Sequence, residues 1–218
     1  MNESGLVYHV GRRPAEPAGA LVLLHGRGTD EYDLLPLLDE LDPDGRLAGI
    51  TLRAPLRLGG GYHWYVSREL GYPDPPTFLQ TYAQVGAWLD TSPRLTGVGY
   101  EQTILVGFSQ GAVMAYALAL GRGRPSPAAL IALSGFLPEA PGFDLDPPGH
   151  RRIPVSIGHG TVDRVIPVEF GRAAFGRLHD DGLLVDYRES RMGHGIDPVF
   201  VRDVAQTLPG LLARQRAA

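Results

Sequence analysis

The sequence predicts an α/β protein with a mostly parallel central sheet and helices on both faces. Short, continuous apolar runs recur along the chain, as expected for strands that are buried on both faces of a sheet. Segments with the apolar spacing of helices lie between these runs, and this alternation is typical of right-handed β-α-β crossovers. The length of 218 residues suits one core. We therefore expect a single domain over residues 1–218.

The predicted strands follow one another at intervals that leave room for helices. Their apolar residues are continuous rather than alternating, which favours a parallel sheet. A weaker run at Leu6–Val10 is predicted to pair antiparallel at an edge of the sheet. The six buried strands are predicted at Ala20–Leu24, Gly49–Arg53, Thr103–Val106, Ala129–Leu133, Ile153–Ile157 and Leu183–Arg188.

Helical spacing of apolar residues predicts the intervening elements. The segment Gln110–Leu120 is apolar on most faces, so we expect that helix to be buried. Two long segments, Leu56–Pro76 and Pro138–Pro154, fit no regular element, and such loops usually serve function or are disordered. The helices are predicted at Tyr32–Leu41, Phe78–Leu89, Gln110–Leu120, Val168–Leu178 and Pro198–Leu212.

Composition excludes several classes of function. The net charge of −4 gives no basic excess, so nucleic-acid binding is not expected. The chain has no cysteine, which excludes disulfides, a cysteine nucleophile and thiolate metal sites. It also has no lysine, which excludes a Schiff-base lysine and a P-loop lysine. Neither a targeting segment nor a long apolar run is visible, so we expect a cytoplasmic protein without stable membrane insertion.

One motif carries the chemistry of a nucleophile. Gly107-Phe108-Ser109-Gln110-Gly111 reads G-x-S-x-G and lies between a predicted strand and a predicted helix. The pattern alone is weak in a glycine-rich chain, but this is the strand–turn–helix context of a nucleophile elbow. Such a turn strains the serine backbone and exposes its hydroxyl at the carboxyl edge of the sheet. The alternative is a glycine-rich turn with a capping serine.

A serine hydroxyl needs a general base, and the base needs an orienting carboxylate. In folds with this elbow the chain order is serine, acid, histidine. Four histidines follow Ser109: His150, His159, His179 and His194. We favour His194, because it lies in a glycine-flanked loop after the last predicted strand. The alternative for His194 is a loop histidine in water.

The acid is expected on the loop after the predicted strand Ile153–Ile157. Asp163 lies there. Its alternative role is that of a turn aspartate that accepts hydrogen bonds from nearby backbone N–H groups.

An oxyanion hole needs two backbone N–H donors, of which one belongs to the residue after the nucleophile, Gln110. The other is expected in Leu24-His25-Gly26-Arg27-Gly28, from Arg27 or Gly26. We interpret His25 as a structural histidine that holds this loop in shape.

Six motifs in a fixed order now identify a resemblance. The chain resembles the phospholipase/carboxylesterase family of α/β-hydrolases, which includes acyl-protein thioesterases and small bacterial carboxylesterases. The resemblance covers roughly residues 25–195. The motifs are Leu24-His25-Gly26-Arg27-Gly28, Arg53-Ala54-Pro55 followed by Trp64-Tyr65, Gly107-Phe108-Ser109-Gln110-Gly111, Leu133-Ser134-Gly135, His159-Gly160-Thr161-Val162-Asp163 with Pro167, and Met192-Gly193-His194.

The resemblance implies an α/β-hydrolase fold without a large cap domain. It implies Ser109, Asp163 and His194 as a catalytic triad and the backbone amides of Arg27 and Gln110 as the oxyanion hole. Arg27 stands where the thioesterase branch usually has leucine, so the chain looks closer to the bacterial carboxylesterase branch.

The resemblance also implies that segment 56–64 and its neighbours shape an acyl pocket. The apolar side chains beside glycines in this segment point to Leu58, Trp64 and Tyr65 as the pocket wall.

These observations predict a serine carboxylesterase that hydrolyses a small-molecule ester through an acyl-enzyme, with no metal or organic cofactor. A lysophospholipase or an acyl-protein thioesterase with the same triad is the alternative within the class. A non-catalytic α/β-hydrolase-fold protein that binds a small molecule is the alternative from another class. The sequence leaves a homodimer open.

Overall fold

A seven-stranded sheet forms the centre of the computed structural model, which describes residues 5–217 and the side chains of residues 5–214. The strand order is β1-β3-β2-β8-β9-β10-β11. All neighbours pair in parallel except β1, which pairs antiparallel with β3 at the edge. The strands are β1 Tyr8–Arg12, β2 Ala20–Leu24, β3 Ala48–Leu52, β8 Thr103–Phe108, β9 Ala129–Leu133, β10 Val155–Gly160 and β11 Val185–Ser190.

Two small hairpins lie outside this sheet. The first pairs β4, Leu56–Leu58, with β5, Gly61–His63. The second pairs β6, Ser67–Glu69, with β7, Tyr72–Pro73. The segment 56–76 is therefore more regular than predicted. Strands of two or three residues are too short to show a hydrophobic period, so sequence reasoning missed them.

Helices cover both faces of the sheet, as predicted. They are α1 Leu35–Leu41, α2 Pro75–Thr91, α3 Pro93–Thr96, α4 Gln110–Leu120, α5 Val168–Asp180 and α6 Pro198–Ala217. Side chains of β2 alternate between two apolar clusters. Leu21 and Leu23 join the cluster of α1 and α6, whereas Val22 and Leu24 join the cluster of α2, α4 and α5. Every residue of α4 is buried, which confirms the prediction for that helix.

The observed boundaries of the strands and helices are close to the predicted ones. The predicted bounds of β2, β9 and α4 are correct to the residue. The strands β10 and β11 each begin two residues later than predicted. The segment Pro138–Pro154 is irregular apart from a short 3₁₀ turn at Pro147–His150. No helix in residues 5–217 has the length and apolar character that crossing a membrane requires.

Candidate active site

The site lies where parallel strands end. Because the carboxyl ends of parallel strands meet at one edge of the sheet, the residues that follow them converge there. Ser109 follows β8, Asp163 lies three residues after β10, and His194 lies four residues after β11. Residues 25–29, which hold the predicted oxyanion donor and are called the oxyanion segment below, follow β2 at the same edge.

Ser109 lies on a strained turn between β8 and α4. Its backbone has φ 55° and ψ −120°, a left-handed conformation that costs a non-glycine residue about 1–3 kcal/mol. The chain packs tightly here, since a Cβ on Gly111 would lie 2.1 Å from the carbonyl oxygen of Leu24. The predicted strand–turn–helix context and its strain are therefore present. The Ser109 side chain is mostly buried, with 7% of its residue surface exposed.

The three predicted triad residues form one hydrogen-bonded chain. His194 Nε2 lies 2.8 Å from Ser109 Oγ, and His194 Nδ1 lies 2.7 Å from Asp163 Oδ2. In the neutral imidazole, Nδ1–H donates to the carboxylate, so Nε2 accepts from the serine hydroxyl. The imidazole ring also packs against the Phe108 ring at a centroid distance of 5.0 Å. The predicted nucleophile, base and acid are thus within hydrogen-bond distance of one another.

Asp163 is held by its own loop. Its Oδ1 accepts hydrogen bonds from the backbone N–H groups of Val165, at 2.8 Å, and Ile166, at 2.9 Å. Burial alone would raise the pKa of the Asp163 carboxyl, but the hydrogen bonds from His194, Ile166 and Val165 outweigh burial and lower it. The carboxylate is therefore ionised and oriented. Asp163 accepts the hydrogen bonds of a turn aspartate, and its other oxygen faces His194 as the predicted acid role requires.

The other histidines after Ser109 have different partners. His159 is buried, and its Nε2–H donates to the carbonyl of Ile166 at 2.8 Å, which shapes the Asp163 loop. His150 Nδ1 lies 2.9 Å from Ser126 Oγ, and His150 Nε2 lies 3.3 Å from the carbonyl of Gly121. Gly121 follows α4 at the end of the helix that is far from Ser109. His179 is exposed beside Asp180. Of the four histidines, His194 contacts Ser109 Oγ.

Ser134 supports the loop that carries His194. It follows β9, is completely buried, and has a left-handed φ of 51°. Its hydroxyl donates to the carbonyl of Gly195 at 2.9 Å, and its N–H donates to the carbonyl of Gly158 at 2.8 Å. The motif Leu133-Ser134-Gly135 is part of the family resemblance, but it does not by itself indicate a role for Ser134. The signal in the sequence is its position directly after a predicted buried strand, which places Ser134 at the carboxyl edge of the sheet, close to the site.

His25 is structural, as predicted. Its Nε2 accepts a hydrogen bond from the Ala54 N–H at 3.0 Å, so the proton is on Nδ1, which donates to the Gly26 carbonyl at 2.6 Å. Burial lowers the pKa of His25, and the Gly26 bond and nearby carboxylates only partly offset it. The carbonyl of His25 also accepts from the Trp64 indole N–H at 2.8 Å. The neutral ring therefore fixes the oxyanion segment.

The Gln110 side chain holds the backbone of Trp64 and Tyr65. Its Oε1 accepts from the Trp64 N–H at 2.8 Å, and its Nε2 donates to the Tyr65 carbonyl at 2.8 Å. The prediction of these two aromatics as pocket wall needs correction. Trp64 is 0% and Tyr65 1% exposed, so neither can form the wall of an open pocket in this structure. Leu58 is half-buried and stays a prediction.

The first hairpin supports the oxyanion segment. The Gly28 N–H donates to the Tyr62 carbonyl at 2.7 Å, and the Tyr62 N–H donates to the Thr29 carbonyl at 2.8 Å. Arg53 pairs with the buried Glu31 through two hydrogen bonds, and its guanidinium lies 4.6 Å from the centre of the Tyr62 ring. The part of segment 56–76 that sequence reasoning assigned to a pocket therefore also fixes the proposed oxyanion donor.

We expect Gly61→Ala to lower turnover about 100-fold. A Cβ at Gly61 would lie 2.0 Å from the Gly28 carbonyl oxygen, so the oxyanion segment must move. A displaced oxyanion donor typically costs about 100- to 1,000-fold in kcat. The measurement is kcat on a neutral p-nitrophenyl ester. Gly60→Ala is the matched control, because a Cβ there meets nothing within 4 Å. Equal turnover in the two variants would show that the hairpin does not position the donor.

We expect Gln110→Ala to lower the melting temperature by about 5–10 °C, because two buried backbone groups lose partners at about 1–3 kcal/mol each. The backbone N–H of residue 110 stays in place, but its support is lost, so kcat should also fall. Thermal unfolding and ester hydrolysis measure both effects. Gln206→Ala, at an exposed position of α6, is the matched control. A melting temperature like that of the control would refute a clamp role for Gln110.

Metal-ligating clusters and cavities are the other features that could indicate a ligand site. In residues 5–217 no group of three or more His, Asp or Glu side chains is arranged to hold a metal ion. A cavity of about 520 Å³ lies between α1 and α6, and none of the three residues Ser109, Asp163 and His194 lines it. The chemistry-bearing residues are therefore at the strand ends and not in this cavity.

Comparison with known proteins agrees with the geometry. A carboxylesterase from Mesorhizobium loti superposes with a TM-score of 0.81 at 23% identity, over 96% of this chain and 97% of that one. A Bacillus cereus carboxylesterase superposes with a TM-score of 0.80 at 19% identity, over 96% of each chain. The fold is that of the α/β-hydrolases.

The family follows from sequence comparison. The family model described as phospholipase/carboxylesterase matches residues 76–211, a span that contains Ser109, Asp163 and His194. An acyl-protein thioesterase 1 homologue from Dictyostelium discoideum is 24% identical over 208 residues, which cover 88% of this chain and 92% of the relative. The chain belongs to the phospholipase/carboxylesterase family and is a hydrolase of the carboxylesterase and acyl-protein thioesterase type.

Proposed function

We propose that the protein is a serine carboxylesterase that hydrolyses small-molecule esters through an acyl-enzyme. The observation that carries the proposal is the continuous chain of hydrogen bonds from Ser109 Oγ through His194 to Asp163, at 2.8 and 2.7 Å. A non-catalytic binding protein has no need of this alignment or of the strained backbone at Ser109. Strain of this kind persists where function requires it.

The first half-reaction acylates the enzyme. Ser109 Oγ attacks the ester carbonyl carbon while its proton moves to His194 Nε2. The imidazolium that forms is stabilised by the ionised Asp163. The tetrahedral intermediate then collapses, the bond to the alcohol oxygen breaks, and His194 donates its proton to the departing alcohol. Ser109 is left as an ester of the acyl group.

The second half-reaction releases the acid. Water replaces the alcohol, gives a proton to His194 Nε2 and attacks the acyl-enzyme carbonyl. The intermediate collapses, the bond to Ser109 Oγ breaks, and the proton returns to the serine. In both halves the backbone N–H groups of Arg27 and Gln110 would donate to the oxyanion. The proposal involves only the chain's own groups and no cofactor.

Thioester or lysophospholipid hydrolysis is the second candidate, because the same steps act on those substrates. Three of the relatives carry the name acyl-protein thioesterase 1 or homologue of it, two from Dictyostelium discoideum and one from Candida albicans. Ser109, His194 and Asp163 would have the same roles in this case. The difference would lie in the groups that surround the acyl chain.

A substrate panel tests the proposal. We expect p-nitrophenyl acetate and butyrate to be hydrolysed with higher kcat/KM than the octanoate, a palmitoyl thioester or a lysophosphatidylcholine. A higher kcat/KM for the palmitoyl thioester or the lysophospholipid would favour the second candidate. No hydrolysis of any member, together with no reaction of Ser109 with a fluorophosphonate, would refute catalysis by this site.

A further inference from the structure

We propose that His159 is a positioning residue, which holds the loop of Asp163 so that the carboxylate stays aligned with His194. The inference rests on the proposed function, because it gives a part in that reaction to a residue outside the predicted triad. His159 begins the motif His159-Gly160-Thr161-Val162-Asp163, and the proposed steps leave it without a task. It acts through Asp163, since His194 is the histidine that contacts Ser109 Oγ.

A buried hydrogen bond joins the His159 ring to the loop of Asp163. His159 Nε2–H donates to the carbonyl of Ile166 at 2.8 Å, and the Ile166 N–H donates to Asp163 Oδ1 at 2.9 Å. Ile166 is thus held through both of its backbone groups, by the ring on one side and by the carboxylate on the other. The ring therefore restricts where the Asp163 carboxylate can lie.

The same ring nitrogen lies near the carboxylate oxygen that faces His194. His159 Nε2 is 3.7 Å from Asp163 Oδ2, which is beyond hydrogen-bond distance, and His194 Nδ1 is 2.7 Å from that oxygen. The side chains of His159 and Asp163 are both 0% exposed, so solvent cannot take the place of the ring. A displacement of the ring would therefore move the loop and the carboxylate, and with them the hydrogen bond to His194.

The hydrogen bonds place the proton of the His159 ring on Nε2. Nδ1 is buried and has no hydrogen-bond partner in the described part of the chain, whereas Nε2 lies beside the Ile166 carbonyl. A proton on Nδ1 would be a buried donor without an acceptor, which is costly. The ring therefore serves as an N–H donor to the Asp163 loop and not as a base.

The elements that enclose the His159 ring offer its Nε2 no competing partner. Glu189 lies opposite His159 in the pairing of β10 with β11. Its carboxylate accepts hydrogen bonds from the Arg172 guanidinium at 2.7 and 2.8 Å and from the Tyr187 hydroxyl at 3.0 Å. On the side of α5 the ring meets Gly171, where a Cβ would lie 2.6 Å from His159 Nδ1. The strand and the helix thus fix the ring with Nε2 turned toward the loop that carries the acid.

Three substitutions of His159 separate hydrogen bonding from packing. A glutamine can place its amide N–H near the position of the ring Nε2, whereas asparagine is one methylene shorter and leucine has no donor. We expect His159→Asn and His159→Leu to lower the kcat on p-nitrophenyl butyrate by about 10- to 100-fold, the effect of displacing a reacting group by about 1 Å. KM should stay near the wild-type value, because the ring is buried away from substrate. His159→Gln should retain most of the kcat.

Gly171→Ala displaces the ring while the histidine itself stays. A Cβ at Gly171 would lie too close to His159 Nδ1 for the ring and α5 to keep their positions, so we expect a loss of kcat similar to that in His159→Asn. Gly176→Ala is the matched control on the same helix, because a Cβ there meets nothing within 4 Å. Alanine is a better helix former than glycine, so a weaker helix would not explain the loss.

The ¹H NMR resonance of His194 Nδ1–H reports the alignment directly and needs no substrate. A short hydrogen bond to the Asp163 carboxylate places this proton far downfield. We expect the resonance to move upfield in His159→Asn, His159→Leu and Gly171→Ala, and to stay in place in His159→Gln and Gly176→Ala. The melting temperature of each variant shows that the compared proteins are folded.

The outcomes distinguish the positioning role from the esterase proposal. Equal losses of kcat in His159→Gln and His159→Asn, or a folded Gly171→Ala protein with the wild-type kcat and an unmoved resonance, would overturn the role of His159 and leave the esterase proposal standing. Failure of the proposed function has a different signature, which is wild-type protein that hydrolyses no ester and whose Ser109 does not react with a fluorophosphonate.

Discussion

Ser109→Ala is expected to lower the kcat of ester hydrolysis by about 10⁴- to 10⁶-fold, the usual effect of removing a triad nucleophile. The hydroxyl oxygen is the atom that would attack, and His194 Nε2, 2.8 Å away, would accept its proton. The measurement is the rate of p-nitrophenolate release under saturating ester. Alanine also lacks the hydrogen bond to His194, so the melting temperature should be measured in parallel.

Ser67→Ala is the matched control for this substitution. Ser67 is exposed on β6, and the variant should retain wild-type turnover. A folded Ser109→Ala protein that keeps even a tenth of the wild-type kcat would contradict the assignment of the nucleophile. A loss of turnover accompanied by the wild-type melting temperature is the result that we expect.

Asp163→Asn is expected to lower kcat by about 10⁴-fold, because the substitution favours the His194 tautomer that cannot act as a base toward Ser109. The Asn Oδ1 can keep the hydrogen bonds from Val165 and Ile166, which leaves its NH₂ group facing His194 Nδ1. Nδ1 must then accept, so the proton moves to Nε2. An imidazole with Nε2–H cannot take the proton of Ser109.

The measurement combines kcat with the tautomer of His194, read by ¹⁵N NMR of the imidazole ring. Wild-type protein should show Nδ1–H and the variant Nε2–H at a pH where the ring is neutral. Asp180→Asn, at an exposed position of α5, is the control and should change neither quantity. Undiminished turnover in Asp163→Asn would refute the role of Asp163 as the orienting acid.

The strands and helices, and their order, were predictable because they depend on local patterns in the sequence. Buried parallel strands are short and continuously apolar, and Ala20–Leu24 is completely buried in the structure. The order of elements then determined which loops meet at the carboxyl edge, so the proximity of Ser109, Asp163 and His194 followed from chain order. These are features that one sequence can reveal without knowledge of any tertiary contact.

The support of the site was not predictable in the same way. The Gln110 side chain bonds the backbone of Trp64, 46 residues away, and Ser134 Oγ bonds the Gly195 carbonyl, 61 residues away. No period or spacing in the sequence encodes such contacts. The burial of Trp64 and Tyr65 was not predictable for a related reason. A Trp–Tyr pair beside glycines suits a pocket wall and a buried anchor equally, and only the packing distinguishes them.

The most direct test of the proposed serine mechanism is to find which residue a phosphonylating probe modifies. The protein is incubated with a fluorophosphonate, digested and analysed by tandem mass spectrometry, with Ser109→Ala and His194→Gln treated in the same way. We expect one adduct, on Ser109, which is absent in Ser109→Ala and forms far more slowly in His194→Gln. An adduct on another residue of the wild-type protein, or undiminished labelling in His194→Gln, would contradict it.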